Sequence, residues 1–308
     1  MATLQNKIDF AVVFLVERAN PNGDPLNGNR PRTDYSGLGE ITDVCLKRKI
    51  RDRLQEAGHA IFVQSDDRKK DGARSLRERA ESAEWGLGPS AFVFKSSKKK
   101  APKKGQADTA PKDVSAEIGQ ETAQKESTAL MACKKWIDIR TFGNLFAWEG
   151  NQDADGVSIG IRGPVSITSA FSVQPVEVTS TQITKSVSGE GDGTKRGSDT
   201  MGMKHRVDKG VYVFYGSMNP QLAERTLFSD EDSRAIKVLL PRIFENDASS
   251  ARPEGSMQVL KLIWWQHKPG LAGQYSSAKV HRSLTVNVDG SIDLKKLDGL
   301  DPEVFDGF

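Results

Sequence analysis

The run "IDFAVVFLV" (8–16) constrains the fold more than any other stretch. It is short, β-branched and aromatic, and turn formers end it abruptly, which predicts a buried strand. The next stretch, "ERANPNGDPLNGNRPRTDYSG" (17–37), is rich in Asn, Gly and Pro. Strand-to-helix connections usually take only a few residues. A connection of about twenty residues, with Arg30 and Arg32 set among turn formers, therefore calls for a purpose beyond joining two elements.

A helix is predicted over residues 40–57, with Thr42 as N-cap and Gly58 just past its end. Leu46, Ile50, Leu54 and Ala57 form an apolar stripe, and Lys47 and Arg51, four apart, form a basic stripe beside it. Residues 59–135 change character. "DDRKKDGARSLRERAESAEWG" is charged and helical in part, and "KSSKKKAPKKGQADTAPKD" has nothing to bury, so it is expected to be a mobile loop. The block reads as an insertion without a core of its own. Order returns at "WIDIRTFGNLF" (136–146), and residues 157–184 predict two or more strands broken at Gly163-Pro164. A second Gly-rich excursion covers 185–210. "VYVFYG" predicts a strand. A helix opens at Ser229 with Ile236, Leu239, Leu240 and Ile243 on its apolar face, and Pro241 is expected to kink it. "MQVLKLIWW" (257–265) predicts a last strand in which Trp264 and Trp265 face opposite sides, one in the core and one exposed. Without the insertion and the excursion the order is strand, helix, strands, helix, strand. That is the βαββαβ pattern of an α+β, ferredoxin-like or RRM-like sandwich, whose open sheet face is often used on RNA.

Most chemical motifs fail on spacing. "SGEGDGTKRG" fits neither phosphate-loop pattern, and in "NQDADG" a calcium loop would need Glu where Arg162 stands. Four histidines, His59, His205, His267 and His281, share no metal-ligand spacing, and Cys45 and Cys133 give neither a disulfide framework nor a zinc pattern. "KGVYVFYG" only approaches the aromatic RNA-stacking motif and is expected to be a core strand. No metal and no cofactor are expected. The N-terminus has no signal-peptide pattern and the longest apolar run is too short for a bilayer, so a cytosolic chain with no membrane partner is expected. What remains is clustered basicity on helical or Gly-rich frames: Arg30, Arg32, Lys47, Arg51, Lys185, Lys195, Arg196, Lys204, His205 and the lysines of 98–104. This distribution suits a protein that tracks a phosphate backbone.

"NPNGDPLNGNRPRTD", "ITDVCLKRKIR", "DIRTFGNLF", "IRGPVSITSAFSVQPVEV", "MGMKHRVDKGVYVFYGSMNP" and "FENDASSARPEGSMQVL" occur in an order that resembles the Cascade backbone subunit. This is the helix-forming, guide-RNA-binding subunit of the seventh Cas family, and the resemblance is strongest to the type I-C CRISPR subtype. It implies an RRM-like palm (1–58, 136–184 and 211–308), an inserted helical fingers domain (59–135) and a β-hairpin thumb (185–210). Copies of such a subunit stack along one guide RNA, each thumb displaces a base, and the exposed guide segments pair with target DNA that a separate helicase-nuclease cuts. The implied partners are CRISPR guide RNA, target DNA, further copies of the chain, and the capping, large and small Cascade subunits, in a prokaryotic cytoplasm. By the same resemblance Asn22, Arg30 and Arg32 lie along the guide backbone, and Lys47 and Arg51 face the RNA from the helix. Lys185, Met201, Met203, Lys204 and His205 fall in the thumb, with the two methionines as the wedge. Lys98, Lys99, Lys100, Lys103 and Lys104 would touch DNA without sequence preference. The implied role is non-catalytic. The alternative is an RNA endonuclease like the type III backbone subunits, using Asp24 or Asp34. Both aspartates are expected instead to form turns or to partner the nearby arginines.

Overall fold

The structure, a computed structural model, describes residues 2–94, 114–149, 156–184 and 201–308, with only the backbone of 114–120. Lys98, Lys99, Lys100, Lys103, Lys104, Lys185, Lys195 and Arg196 lie outside the described residues, as does most of "NQDADG".

The chain opens with strand β1 (Ile8–Ala19), a two-residue pair β2 (Gly23–Asp24) and β3 (Arg30–Pro31), strand β4 (Leu38–Ile41) and helix α1 (Asp43–Glu56). Helices α2 (Leu76–Glu81), α3 (Val114–Lys135) and α4 (Ile137–Phe142) precede strands β5 (Gly143–Trp148) and β6 (Val157–Arg162). Then come β7 (Val165–Ile167), β8 (Ala170–Pro175), β9 (Val178–Thr184) and the long β10 (Met201–Met218). Helices α5 (Pro220–Thr226) and α6 (Asp230–Leu239) lead to β11 (Met257–Gln266), α7 (Ser277–His281), β12 (Leu284–Val286), β13 (Ile292–Leu294) and β14 (Glu303–Asp306). The fold is mixed α/β on a large antiparallel sheet. Two compact units divide it: Asn6–Arg53 with Ser166–Met218 and Arg234–Phe308, and Leu54–Val165 with Met1–Gln5 and Asn219–Ser233.

The first unit carries the sheet, in the order β14-β11-β1-β10-β8-β4, each neighbour antiparallel. β1 is central, paired to β10 on one side and β11 on the other. Its alternating side chains serve both faces: Ala11 and Val13 pack with Val211, Ile263 and Trp265 under Val280, Leu284 and Leu300, and are buried with them. Phe10, Val12 and Phe14 point the other way and are equally buried, Phe10 stacking on Trp264 and Phe14 meeting Phe244 with ring centroids 4.9 Å apart. The sheet therefore has no bare central face. Trp264 and Trp265 are both 1% exposed, against the expectation that one would be open. The reason is that the C-terminal segment through α7, β12 and β13, too weakly patterned to stand out in sequence, covers the second side.

The predicted first helix starts late. Residues 38–41 pair with β8 as strand β4, and the helix begins at Asp43, where the Thr42 hydroxyl accepts the Cys45 N–H at 3.3 Å as an N-cap does. Gly39 is fixed by close approach, since a Cβ there would lie 2.1 Å from the Tyr212 hydroxyl. Gly58 ends the helix at φ +88°, as expected of its position. Leu46, Ile50 and Leu54 are fully buried, but Ala57 is exposed because it falls past the last helical turn. Pro241 does not kink α6; the α-helix ends at Leu239 and a 3-10 turn, Leu240–Arg242, takes over.

The second unit does have a core. Phe62, Ala80, Phe92, Phe94, Ala132, Cys133 and Trp136 pack with Ile139, Phe146, Val157 and Ile159. Residues 59–135 do not hold this core alone; they share it with Trp136, Ile139 and the β5–β6 hairpin beyond them. Asp138, fully buried, accepts the Phe62 and Val63 N–H groups at 2.8 and 3.0 Å, and Arg140 grips Asp232 through two bonds of 2.9 and 2.8 Å.

Candidate nucleic-acid interface

The long segment after β1 is held by its own polar side chains. Asn22 Oδ1 accepts from both the N–H and the hydroxyl of Thr42 at 3.0 Å, and its carbonyl accepts the Arg32 N–H at 3.2 Å. Asn22, expected beside RNA, thus ties the segment to the start of α1. Asp24 Oδ1 caps the turn at Leu26 N (3.2 Å) and meets Arg32 at 3.3 Å. Asp34 Oδ1 accepts the Ser36 and Leu38 N–H groups at 2.8 and 2.9 Å. Both aspartates form turns, and Asp24 also partners an arginine. Arg30 is half-buried in β3, with no side-chain partner among the described residues.

Helix α1 carries two basic pairs rather than one. Lys47 and Arg51 are half-buried on one flank, Lys47 bonded to Asp43 at 2.8 Å. Lys49 and Arg53 are buried on the other flank, 3% and 7% exposed. Lys49 pairs with Asp247, which Arg252 also reaches at 2.9 Å, and Arg53 donates to the Glu245 carbonyl. Burial pushes the Lys49 ammonium pKa down, against the pull of Asp247. The 49/53 pair therefore fastens the 244–252 segment. At about 100° per residue, Lys47 and Arg51 stand about 60° and 100° to one side of Ile50, and Arg53 and Lys49 the same angles to the other. Helical periodicity alone cannot tell the buried pair from the half-buried one.

β9 and the first half of β10 form a hairpin, from Met201↔Thr184 to Val207↔Val178. Its arms begin before residue 185, and strand period two divides the residues expected to act together. Met201, Met203 and His205 share one face, the methionines 68% and 56% exposed and His205 Nδ1 bonded to Ser180 Oγ at 2.8 Å. Lys204 lies on the other face with Arg206. There they line a cleft of about 590 Å³ with Glu17, Arg18, Thr181 and Ile183. Arg206 meets Asp208 at 3.3 Å, while Lys204 has no side-chain partner among the described residues. Arg18 stands at φ +53°, a conformation that L side chains resist. The neighbouring bonds Glu17 N–Ser256 O and Asn20 N–Ala251 O, both 2.8 Å, pin the chain on either side of it. Sequence reasoning missed Arg18 and Arg206; the mark that could have found them is their basic character, Arg18 near the end of β1 at the start of the first turn-rich segment and Arg206 within the 185–210 excursion.

Two histidines without sequence spacing do meet a carboxylate. His267 Nδ1 accepts the Gln274 N–H at 2.9 Å, which leaves Nε2 as the nitrogen that donates to Asp9 Oδ2, at 2.8 Å. His281 Nε2 lies 3.6 Å from Asp9 Oδ1. Burial works to raise the Asp9 pKa, but the bonds from His267 and Ser277 and the charge of Lys7 hold it below its ordinary value. Asp9 and His267 are 0% and 1% exposed, which suits a structural pair rather than a reacting one. Among the described residues no group of three or more His, Cys, Asp or Glu could hold a metal ion, and no helix is long and apolar enough to cross a membrane.

The CRISPR-associated protein Cas7 of Haloferax volcanii is 28% identical over 262 residues, covering 81% of this chain and 67% of that protein. Among solved structures, a chain of a "CRISPR RNA-guided surveillance complex, pre-nicking" aligns over 89% of this chain and 81% of its own, at 17% identity and a TM-score of 0.47. A chain of a "CRISPR RNA-guided surveillance complex" aligns over 92% and 77%, at 14% identity and a TM-score of 0.43. The family model for CRISPR-associated protein Cas7 matches residues 6–300, nearly the whole length, and the chain belongs to that family.

Proposed function

We propose that the chain is a non-catalytic CRISPR RNA-binding backbone subunit of a type I-C Cascade complex, which oligomerises along the guide and helps bind complementary DNA. The observation that carries this reading is the cleft beside the β9–β10 hairpin, where Arg18, Lys204 and Arg206 outnumber Glu17 and Glu254, in a chain of the Cas7 family. The RRM-like palm is supported by the strand order β11-β1-β10-β8, with α1 after the first of these strands in sequence and α6 after the third. The β9–β10 hairpin corresponds to the thumb, its exposed methionines to the wedge, and residues 59–135 to the fingers. Asp24 and Asp34, each committed to local backbone N–H groups, support the non-catalytic reading over RNA cleavage. Partners would be the guide, target DNA, further copies and the other Cascade subunits, in the prokaryotic cytoplasm.

Coexpression with a CRISPR array, followed by sizing, tests the assembly. One large RNA-containing species is expected; a monomer in the presence of guide RNA refutes it. Regularly spaced cuts in complementary RNA supplied with divalent metal would refute the non-catalytic role.

A further inference from the structure

We propose that a recess in the second unit takes a single unpaired nucleobase from a nucleic-acid strand, stacked on Trp85. The recess measures about 270 Å³ and is lined by Gln55, Ile61, Lys70, Trp85, Lys135 and Trp136. That is small beside the roughly 300–1,000 Å³ of drug-sized sites, and suits one ring system. Ile61 and Trp136, each 2% exposed, supply apolar lining, while Trp85 is 46% exposed at the edge. The Trp85 loop is fixed: its N–H donates to Ser82 Oγ at 3.0 Å and the next N–H, of Gly86, to the Ser82 carbonyl at 3.0 Å. A large aromatic held half in the open by an ordered loop offers a stacking surface.

Gln55 supplies the second observation. Its Nε2 donates to the Arg68 carbonyl at 2.9 Å and to Gln64 Oε1 at 3.4 Å, which fixes the amide's orientation. Its Oε1 is buried with no hydrogen-bond partner among the described residues. A buried acceptor of this kind is costly until a donor arrives. The charges add a third feature. Arg79 and Asp71 satisfy each other, leaving Lys70 and Lys135 against Glu84 at this site. A ligand with a flat ring, an N–H donor on its edge and a negative charge beside it answers all three features. A nucleobase in a phosphodiester chain has that chemistry, as does a free mononucleotide. The choice of the strand rests on the nucleic-acid-binding function proposed for the chain.

The test follows the Trp85 indole N–H resonance of the full chain, assigned by its loss in Trp85→Phe, during titration with AMP, ribose 5-phosphate and a single-stranded DNA tetramer. AMP is expected to shift the resonance and ribose 5-phosphate to leave it in place. The tetramer should bind at least about tenfold more tightly than AMP, because its further phosphates meet the lysines. Gln55→Met should weaken the tetramer about fivefold to tenfold, the worth of one net hydrogen bond, and Trp85→Ala should abolish the binding while guide assembly persists. An unmoved resonance, or an equal shift with ribose 5-phosphate, overturns base recognition. Equal affinity for AMP and tetramer overturns the strand as its source. Failure of the wild-type chain to assemble on guide RNA would instead strike the reading on which the choice of strand rests.

Discussion

Arg18→Gly separates backbone strain from charge. An L residue in the left-handed region costs about 1–2 kcal/mol, and glycine loses roughly 0.5–1 kcal/mol more entropy on folding than an ordinary residue. Arg18 is exposed, so the substitution removes little packing. The balance favours the variant by about 0.5–1 kcal/mol, readable as a higher urea midpoint. If the arginine is retained at this position for its charge, the same variant should bind RNA less well. Removing one phosphate-neutralising cation per copy lowers the slope of log K against log salt by about 0.7 on a single strand. Over a fourfold change in salt that separates variant from wild type by about 2.6-fold per copy. Filter binding to a random-sequence RNA across a salt series measures it, and Arg18→Lys, which keeps the charge and the strain, should restore the slope but not the stability. A destabilised Arg18→Gly would show that the side chain holds the strand end. An unchanged salt slope would remove Arg18 from the RNA path.

Lys47→Ala with Arg51→Ala should change stability by no more than about ±0.5 kcal/mol, while weakening RNA binding and flattening its salt dependence. Lys49→Ala should do the reverse: about 2 kcal/mol of stability lost, moderated because Arg252 still faces Asp247, with the salt slope intact. Met201→Ser with Met203→Ser, at exposed hairpin positions, should leave the monomer's urea midpoint in place and shorten the RNA-bound particles seen on sizing. Asp9→Ala should cost about 3 kcal/mol by stranding the buried His267 N–H. The folded Asp9 pKa is depressed, so its stabilising share is present above the ordinary value of 3.8 and is lost as pH falls through the lower folded value. Asp9→Ala should therefore flatten the acid limb of stability against pH in that range, and an unchanged limb would show that Asp9 does not contribute to it.

Much of the frame was legible because it rests on local physics. β1, β11 and the start of α6 have dense apolar, β-prone runs or a capping serine, and each lies where its pattern puts it. β4 escaped because "LGEI" is too short to show alternation beside so many turn formers, and only pairing with β8 makes it a strand. Asp9 and His267 are 258 residues apart, and no local pattern connects them. In the hairpin, period two places Met201 and Met203 on one face and Lys204 on the other, a division the strand enforces between neighbours in sequence. The α1 flanks were undecidable in principle from the helix alone, because what chooses Lys49 over Lys47 for burial is Asp247, 198 residues away.

The burial of both sheet faces bears directly on how nucleic acid would be held. Sheets that bind RNA by stacking bases on their strands need aromatic side chains open to solvent. Here the central aromatics Phe10, Phe14, Tyr212, Phe214, Trp264 and Trp265 are all in the core. The basic residues lie instead on the segment after β1, on one flank of α1 and on one face of the hairpin. Contacts from such positions go to phosphates rather than to base edges, which carry the sequence information. A subunit built this way would grip any guide sequence alike and leave the bases free to pair with a target. The expected consequence is near-equal affinity for unrelated guide sequences, and a strong preference for one of them would require a base-reading surface that these residues do not form.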